Sequence, residues 1–185
     1  LRTGVFREVS VNHFMDCTWD ADNHGCQGGD TGPALSSVLN RTGAIYSEES
    51  YSYLGVSGVC RSGDEGRIGT IKSCFHPRKT REAVKEALYK YGPLSVGINA
   101  IDDMSLYTGG VFESKECRGT YPDLVHIVLL TGWKIIDGRE TWEIKNSWSS
   151  YWGDKGYIYV LNEIPEWDCG ITSLAVGAVV EPFDA

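Results

Sequence analysis

The stretch LVHIVLLTGWKIIDGRETWEIKN, residues 124–146, constrains this chain more than any other. Two runs rich in β-branched and aromatic residues flank Asp137-Gly138, a dipeptide suited to the successive positive φ angles of a tight hairpin turn. Antiparallel pairing about a centre near 136 or 137 sets His126 opposite Asn146 or its neighbours. An asparagine carbonyl that accepts from one imidazole nitrogen fixes the ring's tautomer and leaves the other nitrogen to serve a nucleophile. Three of the six tryptophans lie in WEIKNSWSSYWG, residues 142–153, and Trp148 laid over that bond would keep water from competing for it. The structural alternative is a core histidine beside tryptophans that merely pack.

The rest of the chain divides by periodicity. Residues 1–92 punctuate helices: SVNHFMDC with Ser10 as a cap, DTGPALSSVLNRTG with Asp30 or Thr31 capping and Gly43 stopping, and TREAVKEALYKYGP with Thr80 capping and Gly92-Pro93 ending. In the last of these Ala83, Val84, Ala87, Leu88 and Tyr91 share one face. Residues 93–185 alternate in LSVGIN, LVHIVLLTGW, TWEIK, GYIYVLN and ITSLAVGAVV, which read as strands. The expectation is an α+β protein, a helical lobe over 1–92 followed by a β-rich lobe over 93–185.

The formal charge of −8 leaves no basic stripe for nucleic acid, and the net acidity all lies after residue 92. No apolar run reaches the roughly 20 residues that span a bilayer, so no membrane partner is expected. Six cysteines without CxxC or Cys/His ligand spacing read as disulfides in an oxidising compartment and not as a metal site. Their 15 complete pairings stay open on spacing alone. Asn40-Arg41-Thr42 is a glycosylation sequon. No signal peptide heads the chain and Leu1 is not an initiator methionine, so the sequence reads as a processed piece of something longer.

The ordered set of motifs resembles the papain-like cysteine peptidases over the whole chain. LVHIVLLTGW is similar to that family's catalytic-histidine segment, and NSWSSYWGDKGY to its Asn-Ser-Trp block; MDC, GCQGGD, YGPLSVGINA, YTGGVF and the late CGI follow in order. The resemblance implies a two-lobed papain-like fold whose second lobe is antiparallel and β-barrel-like, with an active-site cleft between the lobes. It makes His126 the general base and acid, Asn146 its orienting partner and Trp148 the shield. Gly28 and Gly29 would offer backbone to an extended peptide, while Gly97, Val125, Leu174 and Trp148 would contact substrate, Gly97 and Leu174 shaping a roomy apolar pocket for the second residue upstream of the cut. It further implies disulfides Cys17–Cys60 and Cys117–Cys169, peptide or protein substrates, cystatin-like inhibitors as partners, no cofactor or metal, and a lysosomal, endosomal or secreted location. Ser149-Ser150-Tyr151 and Val125 depart from the family pattern and bear on the leaving-group side.

The larger departure is the nucleophile. The family's Cys-Gly-Ser-Cys-Trp-like segment and its oxyanion glutamine have no counterpart here, and Leu1-Arg2-Thr3-Gly4 matches the turn at which the central helix ends. Cys26 would pair with a cysteine in that segment, and Cys74 reads as a buried free thiol. Without that helix the first lobe would expose apolar faces, so a companion N-terminal chain or segment is expected, with the enzyme inactive in its absence. The alternative is a catalytically inactive homologue serving as a binding or structural module.

Overall fold

The computed structural model describes residues 6–19 and 22–183; the Leu1-Arg2-Thr3-Gly4 turn lies outside the described residues. The chain forms two compact units, Leu1–Phe75 with Ala178–Ala185, and His76–Gly177. The division therefore falls at Phe75–His76 and not at the expected 92–93.

The first unit holds helices α1 (Val11–Cys17) and α2 (Thr31–Arg41) and strands β1 (Ala44–Tyr46) and β2 (Arg67–Phe75). Ser10 caps α1 by accepting from the His13 N–H at 3.0 Å, and Asp30 caps α2 by accepting from Gly32. Gly43, at φ 60°, ends α2 with its N–H donating to the Val38 carbonyl. Val38, Ile45 and Ile71 are buried together, with Phe14, Leu35, Ile68 and Val180 packed against them. The sequence reading of this half as helices and loops missed β1 and β2. In β2 only Gly69 and Ile71 are buried, so its apolar alternation is too thin to read.

A carboxylate organises the long connection from β1 to β2. Asp16 is 5% exposed and accepts from the Tyr51 hydroxyl (2.8 Å), the Gly58 N–H (2.6 Å) and the Asn12 amide (3.0 Å). Next to it Cys17 is bonded to Cys60. The Asp-Cys pair thus anchors the loop by one ionic hydrogen-bond hub and one covalent link.

The second unit contains α3 (Arg81–Tyr91), β3 (Leu94–Ile98), β4 (Val111–Phe112), β5 (His126–Ile136), β6 (Arg139–Lys145), β7 (Tyr157–Leu161) and the start of β8 (Ala175–Pro182), whose end belongs to the first unit. Thr80 caps α3, which buries Val84, Ala87 and Leu88; Tyr91, expected on that face, is exposed. The strand order is β8-β3-β5-β6-β7-β4. Among the described residues this sheet is open, and β4 lies parallel to β7, so it is neither a closed barrel nor wholly antiparallel. Leu94, Val96, Val128, Leu130, Trp142, Ile144, Ile158 and Val160 are buried, Val128 and Leu130 of β5 by alternation and the β7 residues within a run, Ile158 to Leu161, that is buried throughout. Cys117–Cys169 ties two loops of this unit. The two disulfides fit an oxidising environment.

His13 is an acid-sensitive element of the first unit. Its ring is 1% exposed among Phe14, Tyr46 and Tyr51, and neither nitrogen has a hydrogen-bond partner. Burial lowers its pKa from 6.5 to about 4, with the charge of Asp16 opposing. Other charges beside this cluster are Arg61, which stacks on Tyr51, and Arg67, which donates to the Tyr46 hydroxyl at 3.4 Å. Between about 4 and 6.5 the unfolded chain binds more protons than the folded one, so stability falls as pH drops through that window and levels off below it. Denaturant midpoints measured across that range should lose part of their slope in His13→Phe; an unchanged slope contradicts the assignment.

Candidate active site

The site is built on the β5–β6 hairpin. Asp137 (φ 52°) and Gly138 (φ 79°) both adopt left-handed backbone, as a two-residue primed turn requires. From the turn the register runs Ile136↔Arg139 to Gly132↔Glu143, then shifts and continues as Leu130↔Ile144 and Leu129↔Lys145. The shift leaves Thr131 as the extra residue of a bulge, and its hydroxyl donates to the Glu143 carbonyl at 3.1 Å. Beyond Lys145 the chain leaves the ladder, the Asn146 N–H donating to the Gly156 carbonyl at 2.9 Å. His126 itself is paired with Ile98 of β3. His126 and Asn146 are therefore not ladder partners, and it is their side chains that meet.

His126 Nε2 lies 2.9 Å from Asn146 Oδ1. The same oxygen accepts the Ser147 backbone N–H at 2.8 Å. A backbone N–H can donate only to an acceptor, so this second bond identifies the atom as the carbonyl oxygen and fixes the amide's orientation. Nε2 must then carry the hydrogen, and the neutral ring holds its lone pair on Nδ1. The half-buried imidazole is thereby held as a base with one available nitrogen.

Trp148 stacks on the ring, with centroids 5.3 Å apart and planes 20° from parallel. Trp152 meets Trp148 edge-on at 5.0 Å, and Tyr107 lies 5.8 Å from Trp152. The Trp152 indole N–H donates to the Met104 carbonyl at 2.9 Å, which anchors the stack. Ser149, the residue after Trp148, takes a positive φ of 83°, a strained setting for a side-chain-bearing residue. Trp152, Tyr107, Met104 and Gly156 were missed as supports of the site; only the presence of Trp152 as third tryptophan of the cluster hinted at them.

The expected substrate positions fall in two sets. In the second unit, Gly97 donates to the Leu174 carbonyl at 2.8 Å, and a Cβ on it would lie 3.0 Å from Leu174 and 3.1 Å from Leu124. Leu124, not foreseen, thus fills space beside Gly97, and Val125 next to it is exposed. In the first unit Gly28 is exposed at φ 108° with nothing near where a Cβ would stand, whereas Gly29 abuts the Asn23 side chain. Asn40 is exposed on the last turn of α2.

Both cysteines of the second unit, Cys117 and Cys169, are in one disulfide, so no thiol of that unit can partner His126. Of the first unit's cysteines Cys26 is an exposed thiol that accepts from Ser57, and Cys74 is half-buried with its thiol pKa pushed up by burial. Among the described residues no group of three or more potential metal ligands occurs, and no helix is long and apolar enough to cross a membrane.

Trp148→Ala should accelerate exchange of the His126 Nε2 hydrogen with water, read as broadening of its NMR signal at neutral pH. A signal as sharp as in the parent protein would remove the shielding role.

Comparison with known proteins agrees with this geometry. Residues 2–179 match the family described as "Papain family cysteine protease". The chain is 31% identical over 176 residues to pro-cathepsin H of Mus musculus, covering 95% of this chain and 52% of that protein. It is 35% identical over 176 residues to cathepsin S of Bos taurus, covering 94% and 52%. The fold superposes on digestive procathepsin L 3 of Tenebrio molitor larval midgut with a TM-score of 0.85 at 30% identity, covering 96% of this chain and 57% of that one. The chain spans about half the length of the curated relatives it matches. Family match, identity and fold agree: the chain belongs to the papain family of cysteine proteases.

Proposed function

We propose that the chain supplies the base-bearing part of a cysteine peptidase, with the nucleophilic cysteine on a companion N-terminal segment. The observation that carries this is the doubly held Asn146 oxygen, which leaves His126 Nδ1 as the free nitrogen. The absence of any free thiol from the His126 unit favours a sulfur from elsewhere. So do the exposed apolar side chains of β5, Ile127 and Leu129 on one face before the Thr131 bulge and Trp133 and Ile135 on the other face beyond it. Exposed Cys26 is available for a disulfide to that segment.

With the thiol in place, His126 takes its proton and the thiolate–imidazolium pair forms. The thiolate attacks the peptide carbonyl, the imidazolium protonates the departing amine, and a thioester remains. His126 then removes a proton from water, which attacks the thioester and releases the acid. Asn146 keeps the ring oriented through both proton transfers and Trp148 keeps water off the bond. Gly97, Leu124, Val125 and Leu174 favour an apolar residue second upstream of the cut, and Gly28 and Gly29 offer backbone to the peptide. Leaving-group contacts would fall to Trp148. A lysosomal, endosomal or secreted location, with sugar on Asn40, agrees with the disulfides.

Joined to a companion segment carrying the cysteine, the protein should cleave peptides with Leu or Phe at that upstream position faster than those with Glu. His126→Ala should lower the rate by about 100-fold or more with the unfolding midpoint unchanged. Parent-level cleavage by His126→Ala, or no cleavage and no thiol alkylation by the parent assembly, would contradict the proposal.

A further inference from the structure

Leu124 occupies space that two glycines leave open. A Cβ on Gly97 would stand 3.1 Å from its Cδ1 and 3.0 Å from the Leu174 Cδ2, so the two leucines close on the spot where a side chain at 97 would begin. A Cβ on Gly170, whose φ is 85°, would collide with the Leu124 Cδ2. The half-buried Leu124 side chain is therefore seated between Gly97 and Gly170.

The backbone that carries Leu124 has little regular structure to hold it. Leu124 follows the short helical turn Tyr121–Asp123, and the ladder to β3 begins only at His126. The support comes from Asn99, which stands one residue past the end of β3 and two past Gly97. Its side-chain Nδ2 donates to the Asp123 carbonyl at 2.9 Å, and its Oδ1 accepts the Arg118 N–H at 3.0 Å. A backbone N–H needs an acceptor, so the Arg118 bond orients the amide and directs Nδ2 at Asp123. The Asn99 N–H donates in turn to the carbonyl of Cys169, the residue before Gly170. One residue thus ties the segments of Leu124 and of Gly170 to the strand that carries Gly97.

Only part of this clamp depends on the Asn99 side chain. Its replacement keeps the backbone bond to Cys169 and releases Asp123, and with it Leu124. The Leu174 side has ties of its own: the Gly97 N–H donates to the Leu174 carbonyl, and Asp168 accepts the Gly170 and Thr172 N–H groups. The side chain of Asn99 therefore bears on one wall of the apolar pocket and leaves the other in place.

We propose that Asn99 is a positioning residue for substrate choice: it holds Leu124 over Gly97, which narrows the pocket so that it takes Leu in preference to Phe as the second residue upstream of the cut. This rests on the peptidase reading and on the pocket assigned there to Gly97, Leu124 and Leu174. A glycine alone would leave room for an aromatic ring, and Leu124 fills that room. Excess volume in a well-packed apolar pocket costs about tenfold or more in kcat/KM.

The test uses the protein joined to its companion segment and two fluorogenic peptides that differ only in Leu or Phe at that position, with the rate of thiol alkylation as a readout of the His126-activated sulfur. The parent should favour the Leu peptide by about tenfold in kcat/KM. Asn99→Ala should lower that ratio about fivefold, chiefly by lowering KM for the Phe peptide, with alkylation unchanged. Asn99→Asp, which at neutral pH still accepts from Arg118 but cannot donate to Asp123, should do the same. Leu124→Ala should lower the ratio at least as far, and adding Asn99→Ala to it should change the ratio no further. Loss of packing alone would slow both peptides and alkylation together. A parent without preference for Leu, a ratio unmoved in Asn99→Ala or Asn99→Asp, or additive losses in the double variant would overturn this proposal and leave the peptidase reading standing. A parent that cleaves neither peptide would overturn both.

Discussion

One oxygen atom carries the site. Asn146 Oδ1 accepts from the neighbouring Ser147 backbone and from His126 across the hairpin, and the first bond gives the second its meaning. A side-chain amide free to flip could present either end to an imidazole and would leave the tautomer undetermined. Tied to its own backbone, it presents only the carbonyl. The two bonds together are worth a few kcal/mol at most, which is small beside the packing of the second unit. Their effect is on direction: they decide which nitrogen is basic and where it can point.

The surrounding structure serves to hold that oxygen and that ring at a fixed separation. His126 is locked into β3 through Ile98, and Asn146 is held by the Gly156 carbonyl. Trp148, Trp152 and Tyr107 form a chain of ring contacts that ends on the Met104 carbonyl. The aromatic residues around Asn146 thus form a packed row with its own anchor.

The hairpin was legible because its signals are local. Asp137-Gly138 specifies the turn, and alternating burial specifies the faces of β5 and β6. What sequence could not show was the bulge at Thr131, since one extra residue changes the register without altering composition. Simple pairing put His126 near Asn146 in the ladder; the structure brings them together through side chains after the ladder has ended. The disulfides Cys17–Cys60 and Cys117–Cys169 were legible only through family resemblance, because spacing leaves every pairing open. Strands β1 and β2 were illegible for want of alternation, and α3 gave no sign of which unit it joins, since its periodicity shows a face and not the surface that covers it. Leu124 was hidden for the same reason: it meets Gly97 from a segment distant in sequence.

The most direct test of this account is a long-range proton–nitrogen NMR spectrum of the His126 ring, recorded where the ring is neutral. The account predicts a single tautomer with hydrogen on Nε2 and a bare Nδ1. Hydrogen on Nδ1, or an even mixture of the two forms, would contradict it.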